Sequence, residues 1–406
     1  MEDSGNEMLH FSKEQLMPQE EVLESTAPRK KLSIGIPMER IKNESRIPLT
    51  PEGILLLTEN GHQVVVENNA GMNANFSNQE YADSGAMIVD TPTEVYQSDI
   101  ILKIAPPTLE ETELLTRNQT LFSSVNLLGQ SKDFFEKLSQ KRLLAIGYEY
   151  IQDKTGALPV VKSMSEIVGT TSIVIAAEYL SNRLFGNGVI LGGFPGIKPT
   201  EIVIIGAGTV AEYAAKAALG MGATVKVFDN LIYKLRTLQK NLGVRIYTSV
   251  LQPVVLEEAL LNADVVIAAK HSSRGISDCL ISADTVKKMK QGSVIVDVSI
   301  DQGGCFETSR PTHHNDPVFI EHGITHYCVP NIASRVPHTA SVSLNNFLTP
   351  LLLNIGEAGG LTQYIKQDDA FSKGVYIFNG TLTSKQIGEH FDLRYRDLDL
   401  LLAAFR

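Results

Sequence analysis

A carboxylate, Asp301, follows the apolar run VIVDVS and precedes Gly303 and Gly304 in the segment VIVDVSIDQGGCFETSR at 294–310. Such a β-branched run reads as a buried parallel strand, and ligands of open α/β sheets sit beyond the carboxyl ends of strands. A carboxylate there can face a bound cofactor. A loop Asp capping the two glycines is the alternative that this segment alone leaves open.

Residues 201–229, EIVIIGAGTVAEYAAKAALGMGATVKVFD, parse as strand, glycine turn, amphipathic helix, glycine, strand and terminal acid, which is a dinucleotide-binding βαβ unit. Gly206 permits the tight turn, and Gly208 lets the backbone approach a pyrophosphate. Ala211 is a permitted variant at the third fingerprint position. The helix starting near Thr209 aims its free N–H groups and positive end at the phosphate. Asp229 closes the second strand, where it can bond both ribose hydroxyls. A carboxylate there repels a 2′-phosphate, so NAD is the expected cofactor rather than NADP.

Two domains are expected to position these residues. The chain has 406 residues, 43% of them hydrophobic, enough for more than one core. A net charge of -10 argues against a nucleic-acid partner. No window approaches the ~18 apolar residues of a membrane span, and the start MEDSGNEMLHFSKEQ lacks a signal peptide's basic and apolar regions, so a cytoplasmic location is expected. Cys279, Cys305 and Cys328 form no CxxC and suit reduced packing residues. His313, His314 and Asp316 have no ligand spacing, and no metal site is expected.

Short β-rich and helical runs alternate on both sides of the fingerprint. After Asp229 come helix Ile232–Leu242, strand Val244–Tyr247, helix Val254–Asn262, strand Asp264–Ala269 and helix Ser282–Lys290. Before it come strand Leu32–Ile36, helix Pro51–Asn60, strand Gln63–Glu67, a helix from Asn78, strands Ile100–Ile104 and Thr120–Val125, helix Ser131–Gln140 and strand Leu143–Gly147. Long helices near Lys162–Arg183 and Thr339–Ile355 would connect the two parts, with NIASRVPHT at 331–339 as a hinge. The expected fold is α/β, with two doubly wound domains around a central cleft. A Rossmann NAD-binding domain would occupy 163–336, and a discontinuous flavodoxin- or Rossmann-like substrate domain 31–162 and 337–406. Residues 1–30, polar and without a period, read as a flexible arm.

From about Ile34 to His390 the chain resembles the alanine dehydrogenase family, which shares its fold with the nucleotide-binding subunit of proton-translocating transhydrogenase. The resemblance rests on GIPMERIKNESRIPLTPEG, ILKIAPP, GALPVVKSMSEIVG, GGFPGIKP, GAGTVA, VDVSIDQGGCFETSRPT and NIASRVPHTAS. It implies an NAD-dependent oxidoreductase interconverting L-alanine with pyruvate and ammonia, assembled as a homo-oligomer, hexamer or dimer, with a small amino or 2-oxo acid as its partner. It also implies that Arg46 holds the substrate carboxylate, that Lys103 polarises the carbonyl and that Asp301 stands near the amine and nicotinamide. Ser165 would lie on the phosphate side, Lys234 on the adenosine side, and Asn331 at the nicotinamide edge. A guanidinium fork and an ammonium are chemically suited to a 2-oxo acid.

Two segments depart from the family pattern. Its catalytic histidine lies in LFTYLHL, and this chain reads LFSSVNL at Leu121–Leu127, placing Asn126 there. Asparagine donates a hydrogen bond but exchanges no proton, and Asp301, Lys103, His271 and His338 are the candidates for that work. AAKHSSRGISDCL at Ala268–Leu280 brings Lys270, His271 and Arg274 where the family carries an apolar Pro-Gly loop. A transhydrogenase-like NAD(H)-binding subunit and a catalytically silent NAD-binding homologue are therefore the alternative readings.

Overall fold

A computed structural model of the protein describes residues 29–270 and 280–404. Nearly all of the expected N-terminal arm lies outside these residues, as do His271, Arg274 and Cys279. In chain order the strands are β1 Ser33–Ile36, β2 Gln63–Glu67, β3 Met87–Val89, β4 Ile100–Leu102, β5 Thr120–Ser123 and β6 Leu144–Gly147. There follow β7 Glu201–Ile205, β8 Thr224–Phe228, β9 Tyr247–Ser249, β10 Val265–Ala268, β11 Val294–Asp297, β12 Val318–Glu321 and β13 Ile324–Tyr327, with β14 Val375–Phe378 and β15 Thr381–Leu382 at the end.

The strands form two sheets of the same design. The first runs β15-β14-β6-β5-β4-β1-β2-β3 and the second β12-β13-β11-β10-β7-β8-β9. Each has a parallel, doubly wound centre that reverses direction beside its first strand, β1 between β2 and β4, β7 between β8 and β10. Antiparallel strands extend one edge of each, β14 and β15 in the first and β12 in the second. The central strands β4, β10 and β11 are buried throughout, which explains their apolar runs IIL, VVIA and VIV.

Buried apolar side chains segregate between the sheets. Those packed on the first come from residues up to Val160 and from Leu344 onward, and those on the second from Ile173 to Ile332. The helix Pro159–Ser181 joins the two, giving Val160 to one core and Ile173 and Ala176 to the other. Helix Pro337–Glu357 returns the chain to the first sheet, where Asn345 Oδ1 accepts from Thr50 N at 3.1 Å.

Three expectations need correction. The strand expected at Val244–Tyr247 forms at Tyr247–Ser249, because the preceding helix ends on Gly243 at φ 69° and the next residues carry the chain back to β8. Asp301 sits not on the glycine turn but in a short 3-10 helix, Val298–Gln302; Gly303, at φ 102°, ends it. The helix Pro159–Ser181 is, contrary to the expectation of no such window, long and apolar enough by length and composition to cross a membrane. It contributes apolar side chains to both cores, and at Gly169 a Cβ would stand 2.4 Å from Val210 O of the fingerprint helix, so the two helices pack backbone to backbone there.

Candidate active site

The carboxyl ends of the two sheets supply opposite walls of one cleft. From the first sheet come the loop after β1 (Ile41–Arg46), Ala105 and Pro106 after β4, Ser124 and Asn126 after β5, and Tyr148 and Glu149 after β6. From the second come Lys270 after β10 and Val298–Gln302 after β11. The cleft contains adjoining cavities of ≈ 510 and ≈ 370 Å³, and both Arg46 and Asp301 line each of them. A larger groove of ≈ 990 Å³ lies beside the β15 edge and contains none of the expected site residues.

Arg46 is half-buried, and its guanidinium offers two hydrogen-bonding edges. Nε and Nη2 bind Glu44 Oε1 and Oε2 at 2.8 and 2.6 Å. Nη1 has only the Met164 sulphur, 3.6 Å away. The end-on edge can therefore still receive a second carboxylate. Burial would raise the Glu44 carboxyl, but Arg46 and the Asn331 amide hold it below its ordinary value.

Lys103 is fully buried and lines neither cavity. Its ammonium lies 3.0 Å from Glu111 Oε1 and 3.3 Å from Glu39 Oε2. Burial pushes the Glu39 carboxyl up to about 7, against the opposing pull of Lys103. An apolar strand thus ends in a fully paired charge, as buried lysines require.

Asp301 is exposed to the cleft, yet desolvation by the surrounding protein, with the nearby Asp297 carboxylate, pushes its carboxyl up to about 6. Asp297, not Asp301, is the carboxylate that caps the glycine turn: it accepts from Cys305 N at 2.8 Å, Ser299 N at 3.1 Å and Ser309 Oγ at 2.6 Å. The capping alternative for Asp301 therefore falls to its neighbour, leaving Asp301 free to face a ligand.

Asn126 is exposed at the rim in left-handed conformation, φ 47° and ψ 60°. Behind it stands the half-buried Glu149; one carboxyl oxygen accepts from Val125 N at 2.6 Å and the other is buried without a hydrogen-bond partner. Burial pushes Glu149 up to about 7. Sequence reasoning overlooked this residue, although the argument used for Asp301, an acid just past an apolar strand, applies equally to GYE after β6. It also left Glu39, Glu44 and Glu111 unassigned, since pairing with Arg46 and Lys103 depends on folding. Asn331, also left-handed at φ 61°, donates to Glu44 Oε2 at 2.9 Å. His338 stacks on Phe76 and bonds Ala74 O at 3.0 Å, and lines neither cavity. His313 Nδ1 faces Asn43 Nδ2 at 3.2 Å.

The fingerprint turn fits a dinucleotide. Gly206 has φ 104°, and a Cβ there would meet Ala269 O at 2.4 Å, whereas a Cβ on Gly208 would meet nothing within 4 Å. The helix Thr209–Gly220 starts at Gly208 without a side-chain cap, so its first amides point into open space suited to a pyrophosphate. Ala211 is fully buried. Gly208 and Lys234 line one cavity of ≈ 340 Å³, and Ser165 and Val210 line the neighbouring cleft cavity. Asp229 accepts from Ala207 N and Leu231 N, each at 2.8 Å. Each of its oxygens keeps a second lone pair for a ribose hydroxyl.

Family models agree with this architecture over most of the chain. Residues 35–168 match the N-terminal domain of alanine dehydrogenase/PNT and residues 172–385 its C-terminal domain. The chain is 38% identical over 371 residues to an alanine dehydrogenase of Mycolicibacterium smegmatis, covering 91% of this chain and all of that one. It is 36% identical to one of Staphylococcus saprophyticus over 91% of this chain and 99% of the relative. Among solved structures it superposes on an L-alanine dehydrogenase with TM-score 0.82 at 35% identity, covering 88% of this chain and 99% of that one. A transhydrogenase from Sinorhizobium meliloti, TM-score 0.73 at 21% identity over 87% of this chain and 99% of that one, shares the fold.

Proposed function

The chain belongs to the alanine dehydrogenase/PNT family, and on that premise we propose that it is an NAD-dependent oxidoreductase converting L-alanine, NAD⁺ and water to pyruvate, ammonium, NADH and a proton. The observation that carries this reading is the cleft itself, where Arg46 and Asp301 from opposite sheets line the same cavities. We take residues 31–162 with 337–406 as the substrate half and 163–336 as the nucleotide half. The segregation of buried apolar side chains supports that division.

NAD supplies the hydride acceptor, and its pyrophosphate would lie over Gly206, Gly208 and the start of the helix packed through Ala211. Asp229 would bond the ribose, with Lys234 and Ser165 beside the adenosine and phosphates. Arg46 would take the substrate carboxylate on its end-on edge. Asp301 would accept the proton from the amine or from the attacking water. Lys103 would polarise the 2-oxo oxygen. That role requires its ammonium to turn from Glu39 towards the cleft, and the 3.3 Å contact with Glu39 is the longer of its two restraints. Asn126 would donate a hydrogen bond to the same oxygen, and Asn331 would border the nicotinamide.

We further propose a cytoplasmic homo-oligomer acting on a small amino or 2-oxo acid. Leu184, Ile190, Phe194 and Ile197 are all exposed within the segment 184–197, as an assembly surface would require. The test of the reaction is direct: purified protein with alanine and NAD⁺, or with pyruvate, ammonium and NADH, is followed by NADH absorbance above pH 8. Steady turnover is expected. No change in either direction would end the proposal and favour an NAD-binding homologue without this activity.

A further inference from the structure

We infer that Glu44 is a positioning residue that sets the outward edge of Arg46 and ties it to the hinge between the two halves, so that substrate carboxylate and hinge geometry are coupled. The inference rests on the substrate-carboxylate role proposed above for Arg46.

Glu44 is nearly fully buried, with a side-chain exposure of 3%. Within its own loop it accepts from Ser45 N at 3.1 Å, Arg46 N at 3.0 Å, and Arg46 Nε and Nη2 at 2.8 and 2.6 Å. From the other half it accepts Asn331 Nδ2 at 2.9 Å and Ser334 Oγ at 3.2 Å. Ser334 Oγ also accepts from Ser45 N at 2.6 Å, and Asn331 Nδ2 reaches Asn43 O at 3.3 Å. A second seam contact runs from His314 N to Asn43 Oδ1 at 3.2 Å.

Asn331 and Ser334 lie at the short turn Ile332–Arg335, which leads directly into the return helix Pro337–Glu357. A hinge movement there must therefore move donors on Glu44. Glu44 in turn fixes the plane of a guanidinium whose remaining edge faces the cleft. Both oxygens are saturated with donors, so the carboxylate cannot shift without breaking several charge-assisted bonds at once. A second anion arriving at Nη1 and Nη2 lies against the same rigid plane. Its position is thus read by Glu44, and through Glu44 by Asn331 and Ser334.

The test is a kinetic double-mutant cycle on the full chain with Glu44→Gln and Ser334→Ala, run in the amination direction. Glutamine keeps the shape but removes the charge; losing charge-assisted bonds of this kind corresponds to roughly a tenfold or greater rise in the KM for pyruvate. The expected pattern is that rise with kcat changed less than threefold and NADH affinity unchanged. Ser334→Ala alone should raise the same KM severalfold, and should add little in the Glu44→Gln background. If wild type turns over and either single variant leaves the pyruvate KM unchanged, or the two effects simply multiply, the inference is overturned while the proposed reaction stands. Thermal shift of the NADH-loaded protein with pyruvate provides a second readout that folding alone does not move. A pyruvate-dependent rise in wild type that is lost in Glu44→Gln supports the coupling. No turnover and no pyruvate-dependent shift in wild type would remove the proposed reaction and the inference with it.

Discussion

In the proposed reaction the proton acceptor is Asp301 rather than Glu149, whose carboxyl is already engaged by Val125 N. Asp301 is the carboxylate at the cleft that bears no backbone amide or cation among its described hydrogen bonds, because Asp297 takes the turn-capping duty and Glu44 is committed to Arg46. With its carboxyl pushed up to about 6, Asp301 is protonated below that pH and becomes a base above it. Alanine oxidation should therefore rise as pH climbs through about 6 and level off above. Asp301→Asn should fold, bind NAD and lose at least an order of magnitude in turnover together with that rising limb. A variant with wild-type turnover, or one that fails to fold, would count against the assignment. Asn126 gives a second test. The left-handed rim position accepts histidine about as readily as any residue besides asparagine, aspartate and glycine, so Asn126→His should fold and raise alanine oxidation at least tenfold if proton transfer limits this chain. Unchanged turnover would mean that Asp301 already does all the proton work available there.

The elements show why some of this was legible in sequence and some was not. Strand ends were readable because buried parallel strands are apolar throughout, so β7, β10 and β11 declare where their carboxyl ends lie, and the acids and glycines after them fall at the site. The partners of the charges were not readable. Glu111 reaches Lys103 across eight residues and Asn331 reaches Glu44 across 287, separations that only the fold closes. The edge strands β12 and β15 escaped too, since short half-exposed antiparallel pairs carry little periodic signal, and so did the short buried strand β14 between β15 and β6. The fingerprint turn yields a paired prediction at this scale. Gly206→Ala places a Cβ 2.4 Å from Ala269 O in a backbone at φ 104°, so it should destabilise the fold, by several degrees of melting temperature. Gly208→Ala meets nothing within 4 Å and should leave stability nearly unchanged, yet its methyl projects into the space a pyrophosphate needs. NAD affinity should fall at least tenfold in that variant. Calorimetry and thermal melts on the two proteins separate the roles, and a stable Gly208→Ala that binds NAD normally would remove the phosphate from this turn.

At the scale of the molecule, two separately packed halves meet at their active ends. Their buried apolar clusters share no side chain, so the halves can move against one another without opening either core. The covalent crossings are the helix Pro159–Ser181 and the segment around Asn331–Val336, and the Arg335–Glu178 ion pair at 2.5 Å links the second crossing to the first. A movement of the halves would pivot at that seam, with the cleft walls at Ser124–Gly129 and Val298–Gly304 travelling furthest. Closure around ligands of the proposed kind would exclude water from Asp301 and bring the end-on edge of Arg46 to bear on the substrate. Hydrogen exchange tests this directly. NADH and pyruvate added together should slow exchange in both wall segments by at least tenfold while leaving β4, β7 and β11 unaffected, since those strands are already protected in their cores. NADH alone should protect mainly the fingerprint turn. Protection that stays on the second sheet even with both ligands present would mean that the substrate does not bridge the halves, and the cleft would then be a nucleotide site without an opposing wall.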